Sequence, residues 1–181
     1  MSSPLQAMAW RVAAGALLGA VLGLVAVQAV AWWQALGPVP AGLGVWWVKA
    51  RHEWPVDAGH AAPASLRVFR LPARTARVLH RDGTRYLRQA AGGPVRTVTG
   101  DWSTWGAWSE TPLRPALASP GERYDVRRRL CSDRPCAAVD AHLLRDLEEA
   151  VNTPGSFTAQ GRPGLLVVSP YRRRVYFVGG V

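Results

Sequence analysis

Arginine carries almost all of the positive charge in this chain, and it comes in runs. Of 22 basic residues only Lys49 is a lysine. Arg127, Arg128 and Arg129 are consecutive, as are Arg172, Arg173 and Arg174, while Arg67, Arg70, Arg74 and Arg77 follow one another at short spacing. A guanidinium presents a planar fork of donors that matches phosphate and carboxylate, so the two triplets are candidate anion-binding patches. Against 12 acidic residues the net charge is +10, which favours lipid headgroups, nucleic acid or an acidic protein face as partners. Composition supplies a plainer source: Ala, Gly and Pro are raised along with Arg, as GC-rich coding would produce. A solvated basic surface is the preferred reading of the runs, and nucleic acid is not an expected partner.

Tryptophan is the second chemically distinctive residue. Trp102, Trp105 and Trp108 recur at every third position, and we take them as candidate partner contacts. With Arg127–Arg129 and the Cys131/Cys136 pair downstream, residues 102–136 locally resemble the Trp–Arg ladder of thrombospondin type 1 repeats. That resemblance implies guanidinium planes stacked on indoles. The cysteines which that family places after its third tryptophan are missing, Thr111 standing about where one would be. Cys131 and Cys136 enclose Ser132-Asp133-Arg134-Pro135, a loop short enough to close as a structural disulfide in an oxidising compartment. The spacing is neither that of a CxxC redox pair nor that of a zinc site.

Catalytic chemistry finds little to start from. His52, His60, His80 and His142 occur in no ligand spacing, and no nucleophile elbow, phosphate loop or dinucleotide fingerprint is present. Asp146, Glu148 and Glu149 read as the solvated face of a helix. The expectation is therefore a protein that is not an enzyme and takes no cofactor or metal.

Elements that would position these groups are legible in the hydrophobic pattern. Residues 12–33 are uncharged, with Gln28 the sole polar side chain. A helix rises ~1.5 Å per residue, so this run predicts a transmembrane helix over 12–36, flanked by Trp10, Trp32 and Trp33. It is longer than the apolar core of a cleaved signal peptide and ends in bulky tryptophans, which points to a retained signal-anchor. Gly15, Gly19 and Gly23 share one face and open a groove for close helix packing, with Gln28 available for an interhelical hydrogen bond.

Beyond a tail (1–11) and this helix, a juxtamembrane Trp/Pro-rich linker is expected over 37–64 and an extramembrane domain over 65–181. Strands are expected at 66–71, 76–80, 84–89 and 95–99, the middle pair forming a hairpin about Arg81-Asp82-Gly83. An amphipathic helix is expected over 137–151, followed by a hairpin of 165–168 with 173–178. The fold class is α+β, mostly antiparallel, behind a single N-terminal transmembrane helix. The expected function is that of a non-catalytic, single-pass subunit, a structural or scaffold component of a larger membrane or cell-envelope protein complex. Its location would be the bacterial inner membrane, N-terminus inside and C-terminal domain periplasmic, with bilayer lipid and other membrane subunits as partners. The alternative is a tethered binder of an anionic polymer or lipid acting through the arginine clusters.

Overall fold

The computed structural model describes residues 4–53, 65–96, 101–113, 123–131 and 139–179. The chain divides into two units, 1–35 and 36–181.

The first unit is helical, α1 running Pro4–Leu36. Its described side chains, residues 15–30, are all exposed and all apolar or glycine except Gln28. The membrane expectation is nonetheless corrected here. Among the described residues no helix is long and apolar enough to cross a membrane. The transmembrane, single-pass and signal-anchor readings, and the inner-membrane placement built on them, are withdrawn.

The second unit is α+β, built on a six-stranded antiparallel sheet in the order β1-β2-β8-β7-β6-β5. Its elements are β1 (Val48–Glu53), β2 (Ser65–Arg70), α2 (Ala73–Ala90), β3 (Val95–Arg96), β4 (Trp102–Ser103) and β5 (Trp105–Glu110). After these come α3 (Val126–Cys131), α4 (Ala141–Asn152), β6 (Phe157–Gly161), β7 (Gly164–Ser169) and β8 (Arg174–Gly179). Strands β3 and β4 form a separate two-stranded sheet.

Both faces of the main sheet are covered, and period-two alternation decides which side chain goes where. Leu66, Val68, Leu165, Val167, Tyr176 and Val178 face one core with Leu143, Leu147 and Val151 of α4. Phe69, Leu166, Val168, Val175 and Phe177 face the other with Ala76, Leu79 and Leu87 of α2. Coverage on both sides explains why Leu165–Val168 is continuously apolar and wholly buried. Burying each such Leu, Val or Phe contributes roughly 1.5–3 kcal/mol.

The expected hairpin about Asp82-Gly83 is absent: α2 occupies that stretch, broken at Gly83 (φ 51°, ψ −131°) into two helical pieces. A glycine at positive φ suits a turn and a helix break equally. What decides is Ala76 and Leu79, one turn apart, which bury a helical stripe against the sheet while Arg74, Arg77 and Arg81 stay outside. Helix α4 starts at Asp140, whose carboxylate accepts the His142 backbone N–H at 2.8 Å. Cys136 and the side chains of Arg129 and Cys131 lie outside the described residues, so the expected disulfide falls there too, as do residues 54–64 of the predicted linker.

Candidate anion-binding site

At one end of the sheet, Trp47, Lys49, Arg70, Arg172, Arg173 and Arg174 line an open cleft of about 410 Å³. Five cations and an indole line it, with no carboxylate among them. Strand pairing brings them together from three distant stretches of sequence. Arg70, at the end of β2, stands directly opposite Arg174 at the start of β8. Its backbone N–H donates to the Trp47 carbonyl at 3.1 Å, and the next N–H, of Leu71, donates to the Arg173 carbonyl at 2.9 Å. These bonds tie the approach to β1, which carries Trp47 and Lys49, to the turn ahead of β8.

That turn closes with the Arg173 N–H on the Pro170 carbonyl at 3.1 Å. Arg173 has φ 51°, and among the described residues it is the one non-glycine side chain at positive φ. A left-handed conformation costs an ordinary L-residue roughly 1–2 kcal/mol, and such residues concentrate where function fixes the backbone.

The cations differ in their freedom. Asp146 of α4 sits between two of them: its Oδ1 accepts Arg172 Nη1 at 2.6 Å and its Oδ2 accepts Arg174 Nη1. Glu149, one turn further on, takes the other Nη of Arg172. The acidic residues of α4 are thus counter-ions to the Arg172–Arg174 run, a role their helical spacing alone does not reveal. Among the described residues, Lys49, Arg70 and Arg173 have no ion-pair partner. Behind Arg174, burial raises the pKa of the Tyr176 phenol, and the neighbouring guanidinium offsets part of that rise.

The remaining candidate residues are dispersed. Arg67 points to the opposite sheet face, 5 % exposed, paired with Glu53 at 2.8 Å and set over the Phe177 ring at 6.0 Å. Burial lowers the Arg67 pKa, while hydrogen bonding to Arg51 outweighs partial burial and lowers that of Glu53. Arg127 and Arg128 are exposed on α3, Arg127 lying 3.7 Å from Glu148. A second cleft of about 670 Å³ beside them mixes Arg123, Arg127 and Arg145 with Asp125, Glu148 and Glu149, so its charges largely cancel.

Of the three candidate tryptophans, Trp102 is 68 % exposed and Trp108 half-buried, whereas Trp105 is 8 % exposed. Trp105 donates its indole N–H to the Pro38 carbonyl at 3.0 Å and meets Phe177 edge-on, which makes it a core residue. The single cation–π contact among the described residues is Arg67 over Phe177, so the Trp–Arg ladder suggested by local resemblance is not formed there. On α1, a Cβ added at Gly15, Gly19 or Gly23 meets nothing within 4 Å, and Gln28 is exposed. Among the described residues no group of three or more His, Cys, Asp or Glu could hold a metal ion.

Sequence reasoning singled out Arg172–Arg174 but missed their companions Trp47 and Lys49. The signal available was the Trp46-Trp47-Val48-Lys49 string, which reads equally well as a segment lying at an interface. No protein-family model, curated protein or solved structure matches this chain.

Proposed function

We propose that this protein is a non-catalytic binding subunit whose folded unit holds an anionic polymer in the cleft between β1, β2 and the turn before β8. One observation carries the reading: Arg70 and Arg174 stand directly opposite on neighbouring strands, with Lys49 and Arg173 beside them. Like charges placed so oppose folding; Asp146 answers Arg174, and an anion seated beside Arg70 would answer the charge left over. A chain of phosphates suits the open cleft better than one small ion, because several separated cations can each meet a different charge.

Inorganic polyphosphate tests this directly, since it offers repeated charge and nothing else. The full-length chain should bind it at low ionic strength and release it as salt rises. The double variant Arg70→Gln, Arg173→Asn should bind at least roughly 100-fold more weakly, each lost charge-assisted hydrogen bond contributing about 1.5–3 kcal/mol. Equal binding by the double variant, or none by the wild-type chain, removes the proposal.

A second reading, that the chain is also an accessory subunit of a larger protein assembly, is favoured by α1. Leu17, Leu18, Val21, Leu22, Leu24 and Val25 are all at least half exposed, around a glycine face open to close approach. A helix apolar on every side is normally covered, and a helix of a partner subunit packed over Gly15, Gly19 and Gly23 would cover it. Gly19→Leu should abolish a stoichiometric partner's co-purification while polyphosphate binding stays intact. A partner retained at full stoichiometry in that variant sinks this reading.

A further inference from the structure

We propose that the polymer is single-stranded nucleic acid, with an unpaired base stacked on Trp47 and the flanking phosphates held by Lys49, Arg70 and Arg173. The inference rests on the anionic-polymer reading and adds to it the one lining group that charge leaves unexplained. Trp47 is 54 % exposed and shares the cleft with five cations. A large indole left in water beside charges brings nothing to a polyphosphate, which has no flat apolar surface to lay on it, and a sulfated sugar offers it only the C–H face of a puckered ring. A nucleotide has both parts at the right scale: a π-face for the indole and a phosphate for the guanidinium fork.

The geometry favours a platform of this kind. Trp46 meets Trp47 edge-on, centroids 6.2 Å apart, which braces the second ring while leaving much of it in solvent. The backbone beneath Trp47 is fixed by the Arg70 N–H. A second exposed ring, Tyr171 (74 %), precedes Arg172 on the turn, outside the cleft lining itself, and is held edge-on by His80 at 4.4 Å. Aromatic rings alternating with cations are the usual means of gripping single strands with little sequence preference. The bases of a duplex are stacked on one another and offer no free face, so the inference is restricted to unpaired strands.

From the sequence alone a solvated basic surface is the preferred reading of the Arg172–Arg174 run, and no tryptophan lies near it. Folding supplies one, from more than a hundred residues away.

Fluorescence anisotropy of a labelled oligothymidylate of about 12 nucleotides, run beside polyphosphate on the full-length chain, tests the proposal. The oligonucleotide should bind. Trp47→Ala should weaken it by roughly 5- to 100-fold, the span expected for one stacked base, and should leave polyphosphate binding within about twofold. Trp47→Phe, which keeps an aromatic face, should recover most of the loss, and unchanged polyphosphate binding certifies that both variants are folded. If Trp47→Ala affects both polymers equally, or a duplex competes as well as the single strand, the nucleic-acid inference falls while the anionic-polymer reading stands. If neither polymer binds, both fall.

Discussion

Arg70→Gln should make the protein slightly more stable and its ligand binding both weaker and less sensitive to salt. Three cations in the cleft, Lys49, Arg70 and Arg173, have no ion-pair partner among the described residues, whereas Arg172 and Arg174 are held by Asp146 and Glu149. If each unpaired cation displaces one counterion, three phosphates are neutralised and log K should fall with log salt at a slope of about −2.1. Between about 50 and 500 mM salt, binding of single-stranded oligonucleotide would then weaken roughly 100-fold. Arg70→Gln leaves two such cations, so its slope should be about −1.4 and its loss roughly 25-fold. Asp146→Asn works in the opposite direction: it releases Arg174 while Glu149 still holds Arg172, raising the count to four and steepening the slope to about −2.8. Isothermal titration or anisotropy across a salt series reads all three slopes. Removing one of two opposed charges should meanwhile stabilise the fold by about 0.2–1 kcal/mol, visible in denaturant melts. A wild-type slope near −3.5 would mean that all five cations reach the ligand and that the Asp146 pairs do not persist. Identical slopes in wild type and Arg70→Gln would refute the counting itself.

Arg173→Asn should separate folding from binding: Asn tolerates positive φ, so the melting temperature should hold or rise while oligonucleotide affinity drops. A melting temperature lowered by several degrees would show that the arginine is kept for packing. Gly83→Ala should destabilise by about 1–2 kcal/mol, because φ 51° disfavours any Cβ; the new methyl itself would make only ordinary contact with the Phe157 ring at 3.5 Å. Unchanged denaturant midpoints would argue against the helix break. Glu53 has a lowered pKa, so its contribution to stability is full above the unfolded carboxylate pKa of about 4.3 and is lost as pH falls through the folded value. Glu53→Gln should therefore flatten the stability–pH curve below about pH 5, measured by melts across pH, and an unaltered curve would mean that the Arg51–Glu53–Arg67 contacts are not formed in solution.

How much of this was legible beforehand follows from which interactions are local. The closing hairpin and α4 are written in the chain itself, as the apolar run at Leu165–Val168, the turn at Pro170 and the leucines of α4 at helical spacing. Gly83 shows where local reading fails. Asp-Gly between β-rich runs is a strong hairpin signal, but Ala76 and Leu79 could bury against Phe177 and Val168 as a helix, and tertiary packing overrode turn propensity. Strands β5 and β6 escaped notice because Trp105–Glu110 is mostly polar or exposed and pairs with a strand some fifty residues away. The long apolar run at the N-terminus is visible to any reading of hydropathy. Among the described residues, however, no helix is long and apolar enough to cross a membrane.

The site was the least legible part, for a physical reason. Arginine triplets look alike in sequence whether they are solvated, paired or left facing one another, and only the strand register tells these states apart. Arg127 pairs with Glu148, and Arg67 is buried against Glu53: each is accounted for by the fold. Arg70 opposite Arg174 is not, because the register that buries Leu66 and Val68 on one face puts those two charges abreast at its end. Asp146 relieves one of them and leaves the other. A sequence selected for stability alone has easy remedies, since glutamate at position 70 would complete a cross-strand pair and asparagine at 173 would ease the backbone. Both remedies are absent from one cleft, beside an indole left half in water, and the proposed anionic ligand with a flat face would make all three departures favourable together.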